Sequence, residues 1–354
     1  VAAGREQFVA LDGLRGVGAL CVLFAHALHT EHIPYHFSHA SFGVDMFFVL
    51  SGFVIANAYQ RQLQTTMRFT DYLKVRTARL YPTIFIGAVV SLVVAFFLGN
   101  FSDQNLPQLF AMQAFLVPAM ASGPLIFPLN SAYWSLFYEV LANVVHAAFV
   151  KHLTTRRLAY IVIAGAIALI WSAFHYGRLN VGALPDTLPG GFARVTYSFA
   201  IGLLLYNWRA EGVLRGPRVH VAVPVGILVI GMWAPVPNWP YATIAHDLFA
   251  TLILSPLIVI LAMDARVPSR LAPAMSWLAL ISYPLYALHL PIVSAFADAL
   301  TPESVPKVVK AAGWMAVMAL CVFAAWVVAV FYEPRARRWL GRVLPRRHQP
   351  LAKA

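Results

Sequence analysis

The chain has 354 residues, of which 60% are hydrophobic and only 11% charged, and its mean hydropathy is +0.71. A soluble globule of this size would lack polar surface, so the composition excludes one and indicates a polytopic membrane protein. The formal charge of +12 would suggest nucleic acid in a soluble chain, but here the basic residues sit in short loops between apolar runs; that is the usual orientation signal, and no nucleic-acid partner is expected.

The first apolar run, near 9–29, carries Arg15 and His26. Eleven residues at about 100° each return to within roughly 20° of one helix face, about 16 Å further along the axis. Ionisable side chains are costly in a span, so two on one stripe predict a lined path with a fixed cation at one end and a titratable base at the other. Asp12 and Arg15 open the run and no small-residue cleavage pattern follows it, so it is expected to be retained as a span. Its Cys21, like Cys321 near the far end, lies in apolar sequence without metal-ligand spacing and is expected to pack.

Ten further apolar stretches follow, near 42–59, 80–98, 107–121, 133–150, 157–174, 192–208, 218–234, 241–263, 275–297 and 309–332. The stretch 107–121 is short for a span and bounded by Pro107 and Pro118. If it crossed, the loop carrying Lys151, Arg156 and Arg157 would face outward, and the later basic loops and tail would invert with it. If it does not, only Arg178, Arg194, Lys307 and Lys310 lie outside. The prediction is an all-α polytopic bundle of about ten transmembrane helices, both termini cytoplasmic, with an interfacial or re-entrant segment near 107–121. Residues 1–340 read as one transmembrane domain and 341–354 as a basic cytoplasmic tail. Arg335, Arg337, Arg338, Arg342, Arg346 and Arg347 hold that end inside and attract anionic lipid.

Polar residues are unevenly distributed across these spans. Asp45, Glu139, His26 and His289 fall toward the outer side, whereas Arg15, Arg76 and Arg79 fall at inner ends. Forked guanidinium donors suit phosphate, and a histidine beside a carboxylate suits proton transfer near neutral pH. The histidines of HTEHIPYHFSH (His29, His32, His36 and His39) are irregularly spaced, and no metal is expected there.

The Arg15 and His26 pair within LDGLRGVGALCVLFAH, then GVDMFFVLSGFVI, VRTARLYP, YWSLFYEV, ISYPLYALHLP and FYEP, resemble the membrane-bound acyltransferase family 3 over about residues 8 to 335. The resemblance implies an integral membrane enzyme of the bacterial cytoplasmic (inner) membrane. Such an enzyme moves an acyl group, usually acetyl, from acyl-coenzyme A to a hydroxyl of an extracytoplasmic glycan or lipid-linked saccharide. Residue by residue it implies Arg15 and His26 as the essential pair, Arg76 and Arg79 as the cytoplasmic arginine pair and Trp134, Ser135, Leu136 and Glu139 as its Trp-Ser-Leu…Glu motif. Donor phosphates are then expected on Arg76, Arg79 and Arg15, and His26, oriented by Glu139 or Asp45, is expected to act as general base or as a transient acyl carrier. Trp134, Ser135, Tyr283 and His289 are candidates for substrate or transition-state contact. Phe137 stands where the family form WSLSxE has a second serine, so a hydroxyl hydrogen bond near Glu139 is either missing or supplied by Tyr133 or Tyr138. No hydrolase-like domain of the kind some members carry follows the bundle, which implies a stand-alone member. A transporter or flippase for a glycan or anionic small molecule is the competing class, since it too would place charges on a central path.

Overall fold

A computed structural model of the chain describes residues 8–30, 39–99, 105–237 and 239–344. His32, His36, Arg346, Arg347 and most of the 341–354 tail lie outside these residues. The described residues form eleven helices, one on each predicted apolar stretch. They are α1 (Val9–Thr30), α2 (Ala40–Thr65), α3 (Phe69–Leu98), α4 (Leu106–Ala114), α5 (Tyr133–Phe149), α6 (Thr155–Tyr176), α7 (Leu188–Ala210), α8 (Ala222–Trp233), α9 (Ala242–Ala262), α10 (Ala272–Leu300) and α11 (Lys307–Val343).

Eight of these are long and apolar enough to cross a membrane: α1, α2, α3, α6, α7, α9, α10 and α11. With 17 and 12 residues, α5 and α8 fall short of that length. Helix α4 has nine residues, a rise of about 13.5 Å against a hydrocarbon core of about 30 Å. The chain after α4 runs irregularly to residue 132; Phe115, Val117 and Met120 are exposed, while its later part packs on protein, with Ile126 buried and its N–H donating to the Ala183 carbonyl (3.0 Å). Irregular backbone at membrane depth requires such pairing.

Local chemistry sets the helix ends. Asn105 and Thr154 accept from the backbone N–H groups of Gln108 and Arg157, capping α4 and α6. Gly99 and Gly177, at φ 66° and 71°, close α3 and α6 in the left-handed conformation that glycine adopts without strain. Beyond the end of α9, Asp264 accepts from the Arg209 guanidinium (2.7 Å) and the Gly216 N–H (2.7 Å). The Arg209 hydrogen bond is the main cause holding its carboxyl below the usual range.

Close helix contacts depend on small residues, as expected where lipid gives no hydrophobic drive to association. A Cβ on Gly16 would stand 2.4 Å from the Leu278 carbonyl oxygen, so α1 lies directly against α10. On α2 and α7 the relation is reciprocal: a Cβ on Gly52 would meet the Phe199 oxygen at 2.2 Å, and one on Gly202 the Val49 oxygen at 2.2 Å. Helices α2 and α7 are the most buried of the long helices, and α6 the least. Exposed Ile163, Ile167, Trp171 and Phe174 on α6, with Phe96 and Phe97 on α3, present apolar side chains outward.

Three helices contain a π turn: Ala56–Gln60 in α2, Ala250–Leu254 in α9 and Val328–Tyr332 in α11. Prolines explain two of them, because Pro256 and Pro334 follow directly and lack the N–H that would bond the carbonyl four residues back. The carbonyl that Pro256 releases, on Leu252, accepts from the Tyr197 hydroxyl (2.8 Å). Pro291 in α10 likewise releases the Ala287 carbonyl, which accepts from Asn130 Nδ2 (2.9 Å).

Candidate functional site

Two cavities of about 350 and 370 Å³ open between these helices, and the two share Val44 of α2 and Tyr286 of α10 in their walls. One holds Arg15, Arg76, Arg79 and Arg337; the other holds His26, His29 and His39. The face shared by Arg15 and His26 on α1 therefore serves two adjoining chambers, with Val44 and Tyr286 in the wall common to both.

In the arginine chamber, Arg15 Nε donates to Ser282 Oγ (3.0 Å) and its guanidinium lies 3.9 Å from Asp12. Arg76 is buried, and its Nε has no hydrogen-bond partner among the described residues; the Tyr283 hydroxyl is in the same position. Leaving such donors unpaired costs about 1–3 kcal/mol each, so both are prepared to receive a ligand's acceptors. Glu139 Oε1 accepts from Ser51 Oγ (2.8 Å). The hydroxyl near Glu139 thus comes from α2 and not from Tyr133 or Tyr138, because those tyrosines donate to Ile84 O (2.7 Å) and Leu188 O (3.1 Å). Glu333, which the π turn of α11 aims inward, accepts from Thr83 and Arg337 and also lines this chamber.

In the histidine chamber, the neighbour of His26 is another histidine. His26 Nδ1 lies 3.0 Å from His289 Nε2. His289 Nδ1 lies 2.8 and 3.1 Å from the Tyr286 and Leu285 carbonyl oxygens, both pure acceptors, so the neutral ring carries its proton on Nδ1. Its Nε2 is then the lone pair, and His26 must donate to it from Nδ1. That leaves His26 Nε2 as the basic nitrogen.

Glu139 and Asp45, the expected partners of His26, are held elsewhere. Glu139 lines the other chamber. Asp45, 1% exposed, receives Arg194 Nε (3.0 Å) and Nη2 (3.1 Å) as a fork and the Thr251 hydroxyl (3.0 Å). Arg194, read from sequence as an outer cation, is fully buried on α7 and also donates to Val181 O (2.9 Å) and Ser41 O (2.8 Å). Its guanidinium lies 4.9 Å from the Trp134 ring centre, a cation–π contact at the wall of the histidine chamber.

Ser135 Oγ lies 3.0 Å from the Ala132 carbonyl and 2.6 Å from the Tyr286 hydroxyl. With its own proton on the carbonyl, Ser135 accepts from Tyr286. Tyr286, with Ser51, Ser282 and Glu333, was missed by sequence reasoning, which read Arg194 only as an outer cation. The signal for Arg194 was available, as a cation inside an apolar stretch at the depth of Asp45. Tyr286, in SYPLYALH, had none.

A family model described as an acyltransferase domain matches residues 8–333. Protein 2 in picA locus, from Rhizobium radiobacter, is 30% identical over 189 residues, which cover 48% of this chain and 97% of that protein. Acyltransferase MdmB, from Streptomyces mycarofaciens, is 26% identical over 270 residues, which cover 66% of this chain and 65% of that protein. No solved structure gives a significant match.

Proposed function

The chain belongs to acyltransferase family 3, a family of multi-pass membrane acyltransferases, and from that premise we propose that it transfers acetyl from acetyl-coenzyme A to a hydroxyl of an extracytoplasmic glycan or lipid-linked saccharide. The observation that carries this reading is the pair of adjoining chambers that share Val44 and Tyr286, one furnished with guanidinium groups and the other with a histidine base; we take the shared wall as the neck between them.

The membrane is the bacterial cytoplasmic membrane, crossed ten times, with α5 and α8 as the two short crossings and both termini inside. The arginine chamber then faces the cytoplasm and the histidine chamber the outside. Arg76 and Arg79, with Arg15, hold the donor's phosphates by charge-assisted hydrogen bonds. The thioester arm follows α1 toward the neck. His26 Nε2 takes the proton of the acceptor hydroxyl as its oxygen bonds to the thioester carbonyl carbon. The carbon–sulfur bond then breaks, and His26 returns the proton to the departing thiolate. His289 keeps the His26 imidazolium oriented, and the Tyr283 hydroxyl is the donor available to the oxyanion. Asp45 acts through Arg194 on Trp134, which walls the acceptor side, and Glu139 balances charge among the arginines.

The test uses purified protein in lipid nanodiscs with radiolabelled acetyl-coenzyme A and an acceptor glycan. His26→Ala is expected to lower transfer by about 10²-fold or more while donor binding persists. Transfer unaffected by this change would overturn the mechanism. Absence of both donor binding and transfer in the wild type would favour a transporter.

A further inference from the structure

We propose that His39, His246 and Asp247 form a binding site for a divalent transition-metal ion of the zinc class in the wall of the histidine chamber. His39 stands at the start of α2, with its N–H bonded to the Met232 carbonyl (2.9 Å), while His246 and Asp247 are neighbours on α9. One donor atom from each of the three lies within 4.8 Å of the others. Asp247 Oδ1 is 3.7 Å from His39 Nδ1 and 3.6 Å from His246 Nδ1, both beyond the range of an N–H···O hydrogen bond. Atoms about 2.0–2.1 Å from one tetrahedral zinc ion stand roughly 3.3–3.5 Å apart, so these separations need only a small contraction to close on an ion.

The surroundings agree with a ligand set. His39 and Asp247 are each 6% exposed, yet His246 Nδ1, one of the two nitrogens facing Asp247 Oδ1, has no hydrogen-bond partner among the described residues. Two imidazoles packed with ring centres 3.8 Å apart over one carboxylate make poor use of their nitrogens unless something else takes a lone pair. Asp247 Oδ2 accepts from the Leu179 N–H (3.0 Å), which fixes the carboxylate and leaves Oδ1 turned to the histidines, the support that metal-ligating groups require. Arg194, the cation nearest in role, is already committed to Asp45. Two imidazoles and one carboxylate suit zinc, or ferrous iron, better than hard or thiophilic ions. Three protein ligands leave a fourth position, and His39 and Asp247 both line the chamber. The expectation of no metal weighed only the histidines of one loop; His39 comes from that loop, but its partners come from α9. The site stands independently of the acyl-transfer reading.

The test is metal content of the full-length protein purified in detergent, loaded with zinc and dialysed against metal-free buffer. About one ion per chain is expected, falling at least tenfold in His39→Ala and in His246→Ala, while His175→Ala, on α6 and stacked on Trp171, retains it. Cobalt substitution of the wild type should give the strong visible absorption of a four-coordinate ion, altered in Asp247→Asn. This decides the matter should the alanine variants fail to fold. Wild-type protein that retains no more zinc than the His39→Ala variant, or cobalt showing only the weak spectrum of its hydrated ion, overturns the proposal.

Discussion

A neutral imidazole has one proton for two nitrogens, so fixing it on one ring decides what the next ring can do. Two carbonyls of α10 take the proton of His289, and the lone pair that remains takes the proton of His26. Under the proposed mechanism His289 positions His26, so its removal should act on turnover more than on donor binding. In His289→Ala we expect kcat about 10²-fold lower with KM for acyl-coenzyme A little changed. His289→Gln, whose side-chain oxygen can accept from His26 Nδ1, should recover part of the rate. Equal losses in kcat and donor affinity, with no recovery by glutamine, would mean that His289 matters only for packing. His289 was legible in sequence as a histidine in an apolar span. Its pairing was not, because it faces a residue 263 positions away and no local spacing encodes that contact.

Between helices, the buried fork of Arg194 on Asp45 joins α7 to α2, the two helices whose backbones Gly52 and Gly202 already bring together. Breaking one side of a buried pair leaves an uncompensated charge at a cost of about 3–5 kcal/mol, whereas replacing both sides with apolar groups is often neutral. Asp45→Asn should thus lower the thermal midpoint clearly, and Asp45→Leu combined with Arg194→Met should restore much of it. A double variant no better than the single one would show that the pair does more than neutralise itself. The helices were legible because apolar runs of this length have few alternatives once backbone groups must pair internally. Their irregularities were not, because the reading stopped at hydropathy. Pro256 and Pro291 each announce a released carbonyl, but the groups that rescue them, Tyr197 and Asn130, lie on distant segments. The choice of Ser51 rather than a neighbouring tyrosine to serve Glu139 is of the same kind, decided by which helix packs alongside.

For the whole molecule, the proposed reaction, with its donor on one side of the membrane and its acceptor on the other, calls for a passage too narrow for either to cross. Val44 and Tyr286, in the walls of both chambers, are where the proposal puts that passage, and Phe47 packs edge-on against Tyr286 at 5.6 Å. Arg15 and His26 were readable from sequence as sharing one face, and each lines one of the two chambers; sequence alone said less about the rest. It could not show that the path divides into two rooms, because Val44 is an ordinary apolar residue whose importance comes from where α2 meets α10. If the reacting groups meet at this neck, then narrowing it should separate binding from transfer. Val44→Phe is expected to leave acyl-coenzyme A affinity near the wild-type value, because the arginines are untouched, and to reduce transfer to the glycan by at least tenfold. Binding measured by calorimetry and transfer measured with labelled donor, on the same preparation, check both halves. Transfer at the wild-type rate through a filled neck would place the reaction elsewhere, and loss of donor binding together with transfer would mean that the arginine chamber extends through Val44 rather than ending there.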